Sequence, residues 1–211
     1  MKSQIQSVVV VLVLLVCAAV SSKPQTQCPP PSVVVVESFA FPWQGSCCEA
    51  VVTACISPPP NRIVSLVAVQ LIGDCWGEVN PEVAPYNEVA VLGFEKILLR
   101  RHQLLGIPVI PQCPNSTTVA VETRVGSCGY YTSYLIPVTN ADGSQGTRTI
   151  REYIACGTAE CTRSCTVCVM STLDPCNNSE YRLFWTCDGQ VSAPQCPTTG
   201  CKYPMCSSAL P

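Results

Sequence analysis

The chain carries 17 cysteines in 211 residues, and what those thiols do decides what it can fold into. At this density they either pair or hold metal, and the start of the chain points to pairing. "MKSQIQSVVVVLVLLVCAAVSSKPQ" opens on Lys2, runs apolar from Val8 to about Val20 and ends in small residues. That is the three-part pattern of a secretory signal peptide. The apolar run falls short of the ~20 residues a bilayer-crossing helix needs. Cleavage after Ser22 is preferred to cleavage after Ala19, because Lys23 and Pro24 then begin a polar chain. No later stretch reads as a membrane span. Residues 1–22 are read as a signal peptide and the product as secreted and extracellular.

Cys17 leaves with that segment. Sixteen remain: Cys28, Cys47, Cys48, Cys55, Cys75, Cys113, Cys128, Cys156, Cys161, Cys165, Cys168, Cys176, Cys187, Cys196, Cys201 and Cys206. An even number in an oxidising compartment predicts up to eight disulfides. Cys161, Cys165 and Cys168 include a C-x-x-C, but no second knuckle follows and the single histidine, His102, lies far off. No metal or other cofactor is expected from that pattern. A thioredoxin-like pair would need its C-x-x-C at a helix start beside a strand, and here it is one pair among many.

Charge narrows the partners. Without Lys2 the chain has 11 basic against 14 acidic residues, a balance of −3. No basic run or aromatic–basic platform occurs, so nucleic acid is not expected. Charged residues make up only 12%. Surface polarity must then come from Ser, Thr, Asn, Gln and glycans. "NST" at Asn115 and "NNS" at Asn177 are glycosylation sequons.

Local patterns predict a mixed fold. "SVVVVESFAF" reads as a strand ending before Pro42, and the proline runs at 29–31 and 58–60 as extended connectors. Cys47 and Cys48 are adjacent and are expected to bridge in two directions. "NEVAVLGFEKILLRRHQLLG" reads as a helix capped by Asn87, ended by Gly106 and weakened by Gly93, with Glu95, Lys96, Arg100 and Arg101 on its solvated side. "NRIVSLVAVQLIGDC" fits helix or buried strand; its length and Asn61 favour helix. "YYTSYLIPVTNADGSQGTRTIREYIAC" reads as a hairpin that pairs Tyr131, Ser133 and Leu135 with Thr149, Arg151 and Tyr153. Residues 156–206 hold nine cysteines and few apolar side chains, so loops stapled by disulfides are expected there, with "YRLFWTC" the one strand.

The fold class that follows is α+β: a small disulfide-rich secreted domain with one or two helices in its N-terminal half, a central β-hairpin and a loop-rich, cysteine-dense C-terminal part. Residues 23–155 hold seven cysteines and 156–211 hold nine. Both counts are odd, so full pairing within one chain requires a disulfide between the two parts.

Chemistry is sparse. One histidine excludes two-histidine and three-histidine mechanisms, and no nucleophile elbow, H-E-x-x-H or phosphate loop occurs. Glu49, Asp74, Glu78, Glu82, Glu88 and Glu95 are available for glycosidase-like work, but no spacing singles out a pair, and no enzyme is expected. "CTRSC" resembles the short disulfide-held loops of small trypsin inhibitors, and that resemblance makes Arg163 a candidate inhibitory residue. Arg100–Arg101 is a dibasic candidate for convertase processing, as in a cystine-rich signalling ligand. The expectation is a secreted, non-catalytic binding or structural glycoprotein whose partner is an extracellular protein or glycan, with processed ligand and protease inhibitor as alternatives. Oligomeric state is left open.

Overall fold

A computed structural model describes residues 28–77, 85–114, 118–126, 128–156, 160–188, 203–204 and 211, with the backbone alone for 177–179 and 203–204. The expected signal peptide, the Asn115 sequon and the last three cysteines lie outside them.

The α+β expectation is overturned: the chain is mainly β. Among the described residues nine strands form one sheet, and there is a single α-helix. The strands are β1 (Val33–Trp43), β2 (Ser46–Ser57), β3 (Ile63–Ile72), β4 (Val119–Gly126), β5 (Cys128–Thr139), β6 (Gln145–Ala155), β7 (Glu160–Asp174), β8 (Asn177–Cys187) and β9 (Tyr203–Pro204). The helix, α1, covers Tyr86–Arg101 and continues as a 3-10 turn through Leu105.

β3 is the strand on which the sheet forks. One edge pairs with β2 along its whole length. On the other edge, Ile63–Leu66 run parallel to Glu122–Val125 of β4, and Ala68–Ile72 run antiparallel to Ile150–Ile154 of β6. Two branches leave this edge, β4–β7–β8 and β6–β5–β9. The segment expected as a helix is therefore the central strand. A strand paired on both edges and covered on both faces reads as a continuous apolar run rather than an alternating one. Ile63, Val64, Leu66, Val69 and Leu71 are all buried. Asn61 stands in a turn, not at a helix start.

Residues 156–206 were expected as loops, yet β7 and β8 form a long antiparallel hairpin. Half-cystines supply the missing apolar positions. Cys161, Cys165 and Cys168 are buried alongside Val167 and Val169, as cysteine commonly is. Smaller corrections follow the same lines. β1 runs through Pro42 to Trp43, which an edge strand tolerates. The proline runs turn the chain through cis bonds at Pro30–Pro31 and Pro59–Pro60 instead of extending it. Pro85, not Asn87, stands at the helix N-cap.

The helix sits between β1 and β8, two of the three edges that strand pairing leaves open. Its apolar residues Val89, Phe94, Ile97 and Leu98 enter the core. Gly93 lets it approach β2 closely: a Cβ there would lie 2.7 Å from Val52 Cγ1. Val52 is buried and stiff at χ1, so Gly93→Val is expected to cost about 1–3 kcal/mol through overpacking. Urea unfolding with the disulfides intact checks this.

The side read as solvated is instead a seam of ion pairs. Lys96 Nζ contacts Asp174 Oδ2 at 2.7 Å and Glu180 Oε2 at 2.6 Å. Arg100 binds Glu180 through Nε at 2.7 Å, Glu37 at 3.1 Å and the Ser38 carbonyl at 2.8 Å. Arg101 pairs with Glu37, and Arg182 Nε donates to Glu95 at 2.6 Å. Glu95 also accepts the Leu183 backbone N–H. Four cations thus meet four carboxylates, and the helix takes hydrogen bonds from both of these edges. Covering an edge this way removes its unpaired backbone groups from aggregation. At one end of the seam, the Cys47–Cys176 disulfide ties β2 to the β7–β8 turn.

The seam carries a pH signature. Burial pushes the Glu180 carboxyl up, but hydrogen bonds and charge from Arg100 and Lys96 outweigh it and hold the group below its ordinary 4.5. Its contribution is whole above pH 4.5 and is lost as pH falls through the depressed value. Glu95 has the opposite sign. Burial lifts its pKa against the pull of Arg182, so its protonation relieves a cost as pH falls. Below pH 4.5 the Glu180 loss dominates, and Glu180→Gln is expected to flatten the decline in unfolding midpoint there. An unchanged slope would assign the acid sensitivity elsewhere.

Candidate functional site

The described charged side chains are nearly all engaged. Beyond the seam, Arg124 pairs with Glu122 and Glu160, Arg148 with Glu49, and Arg151 donates to the Gly73 carbonyl. Among the described residues, Arg62 is the one cation with neither an ion pair nor a hydrogen bond through its side chain. Asp188 and Glu88 are the carboxylates in the same condition.

These three residues line two grooves. Arg62 and Asp188 face one of about 480 Å³, between the turn Pro59–Pro60–Asn61–Arg62 and the strands β4, β7 and β8. Its floor includes Ala120 and Glu122 of β4, Ser164 and Thr166 of β7, and Thr186 of β8. Glu88 borders a smaller groove of about 310 Å³ beside the seam, walled by Phe41, Pro42, Val91, Leu92 and Pro175.

The larger groove is built on a rigid frame. Arg62 has φ 48°, a left-handed conformation unusual for a non-glycine residue. Its carbonyl accepts the Glu122 N–H at 3.1 Å. The turn rests on the end of the helix, where Gly106 adopts φ 66° and a Cβ would fall 2.4 Å from Pro59 Cγ. Only glycine meets both demands. The Cys28–Cys55 disulfide and the Ser32–Ser57 hydroxyl pair at 2.7 Å fix the strand leading into the turn. On the far wall, Cys165–Cys187 joins opposite residues of β7 and β8. An arginine carried on such a support needs little reorganisation to meet a ligand.

The residues singled out in the sequence fall elsewhere. Arg163 is not on an exposed loop. It lies within β7 opposite Thr123 of β4, its Nε donating to the Asp188 carbonyl at 3.0 Å and its Nη1 to the Pro211 carbonyl. That placement does not present a protease with a P1 side chain. Arg100 and Arg101 lie in the last turn of the helix, tied to Glu37 and Glu180, where a convertase would have to unwind the backbone. His102 caps its own turn, Nδ1 lying 2.6 Å from the Ile107 carbonyl oxygen. Asn177 begins β8.

Thirteen of the 17 cysteines are described, and all thirteen are disulfide-bonded. Five pairs are Cys28–Cys55, Cys47–Cys176, Cys48–Cys75, Cys113–Cys168 and Cys165–Cys187. Cys128, Cys156 and Cys161 are bonded as well. Cys47 and Cys48 point to opposite faces of β2, Cys48 bonding to Cys75, 27 residues on, and Cys47 to Cys176, 129 residues on. Cys47–Cys176 and Cys113–Cys168 both cross the 155/156 boundary.

Among the described residues no group of side chains could hold a metal ion, and no helix is long and apolar enough to cross a membrane. Disulfides in this number fit an oxidising, extracellular setting. No protein family, curated protein or solved structure matches the chain.

Sequence reasoning missed Arg62 and Asp188, and named Glu88 only as one of several available carboxylates. "PPPNR" marks a turn, but nothing in its residues says that this arginine, of the nine arginines and lysines described, is left without a partner.

Proposed function

We propose that the protein is a secreted, non-catalytic glycoprotein that binds an extracellular ligand in the groove beside Arg62. What supports this reading is one observation: the unpaired opposite charges Arg62 and Asp188 share a preorganised groove while the remaining described cations are engaged. A groove that keeps two opposite charges open to a ligand on a rigid support has the features of a recognition site. Its volume lies in the range of small-ligand sites, about 300–1,000 Å³.

The test is a panel of extracellular glycans and purified matrix proteins, probed with the full secreted chain and with an Arg62→Ala/Asp188→Ala variant. The expected result is at least one ligand lost by at least about tenfold in the variant, as removal of charge-assisted hydrogen bonds predicts. A panel whose ligands all bind the variant as well as the native chain would refute the groove.

A further inference from the structure

We infer that this groove takes a carboxylated sugar residue, with the Arg62 guanidinium holding the carboxylate and Asp188, Asn61 and the hydroxyls of Ser164, Thr166 and Thr186 holding the ring hydroxyls. The inference rests on the binding reading above and names the ligand class.

Three features of the groove select it. The first is charge. Arg62 brings a single free cation, and a guanidinium fork matches the two oxygens of a carboxylate. Asp188 is also free, and Glu122 on the floor is already shared with Arg124. A multiply charged phosphate or sulfate cluster would meet one cation and two carboxylates, whereas a monoanion balances Arg62 alone.

The second is the backbone of the floor. Ser164–Thr166 of β7 are paired to β4 on one side and to β8 on the other, and the Ser164 carbonyl accepts the Asp188 N–H. Through β7, the middle of the floor, no ladder remains open for an extended peptide to join as an added strand. Recognition there comes from side chains.

The third is what those side chains offer. Hydroxyls and an amide both donate and accept, a carboxylate accepts, and the hydroxyls of Thr166 and Thr186 stand on opposite residues of adjacent strands, about 4.5–5.5 Å apart. Thr166 Oγ1 already donates to the Thr186 carbonyl at 3.4 Å, which leaves its oxygen free to accept. A ring bearing several hydroxyls and one carboxylate satisfies this set. The −3 balance of the chain without residues 1–22 means that capture of such an anion depends on Arg62 locally and not on a general positive field.

The experiment is calorimetric titration of the full secreted chain with 3′-sialyllactose and hyaluronan tetrasaccharide, against the neutral lactose and chitotetraose. An acidic sugar is expected to bind at least about tenfold more tightly than its neutral counterpart. Arg62→Ala is expected to erase that difference, Arg62→Lys to retain part of it through charge without the fork, and Arg148→Ala, outside the groove, to leave it intact. Equal binding of acidic and neutral sugars, no binding of either acidic probe, or an acidic preference that survives Arg62→Ala would overturn the inference. Binding of a zwitterionic dipeptide in place of the sugars would do the same. If the sugars fail but Arg62→Ala/Asp188→Ala loses another ligand of the panel, the sugar class falls and the groove stands. If no ligand is lost, both fall.

Discussion

Lys96→Met is expected to destabilise the fold by about 3–5 kcal/mol, the range for removing one partner of a buried ion pair. Lys96 and Asp174 both have fully buried side chains, 0% exposed, and Glu180 contacts the same ammonium. Methionine fills a similar volume, so the loss isolates charge from packing. Asp174 then keeps a buried carboxylate whose ammonium has gone. Adding Asp174→Asn removes that charge, and the double variant is expected to regain part of the loss. The coupling between the two sites is read from a double-mutant cycle. Arg101→Ala serves as a contrast, because that side chain is half exposed and screened pairs contribute about 0–1 kcal/mol. Chemical unfolding with disulfides intact measures all four. Equal effects at Lys96 and Arg101 would mean that the seam is a surface feature and that the helix is not enclosed.

Replacing Cys47 and Cys176 together with serine is expected to cost about 2–4 kcal/mol. The bridge spans 129 residues, and the chain-entropy picture assigns about 4.7 kcal/mol to a loop of ~100. Cys113–Cys168 also joins the two halves of the chain, which shortens the effective loop and lowers the figure. Cys28–Cys55 spans only 27 residues, so its removal is expected to cost less. The order of the two unfolding midpoints checks the claim. A larger loss from Cys28–Cys55 would mean that the seam is held by the helix alone.

The parts of the fold that showed in the sequence are those whose pattern is local. The β5–β6 hairpin places Tyr131 opposite Tyr153, Ser133 opposite Arg151 and Leu135 opposite Thr149, the pairing that alternation and the turn-forming "NADGSQG" imply. The helix showed too, through its apolar spacing and Gly106. What misled was context. β3 carries apolar residues on both faces because its neighbours cover both, so its run mimicked a buried helix. Cysteines in β7 fill core positions that a count of aliphatic residues leaves empty. The charges of the helix face looked solvated because their partners, Glu37, Asp174, Glu180 and Arg182, lie 60 to 90 residues away in the chain. The groove was the least legible feature. Arg62 matters because it lacks a partner, and that follows only from where every other charge has gone.

All of this depends on the two halves of the sheet being joined across the helix. A non-reduced peptide map of the protein tests that directly. The expected map contains a linked species joining the segment that holds Cys47 to the segment that holds Cys176, and a second joining Cys113 to Cys168. Cys47 found bonded within residues 28–75, with no link from that region to residues 156–188, would contradict it.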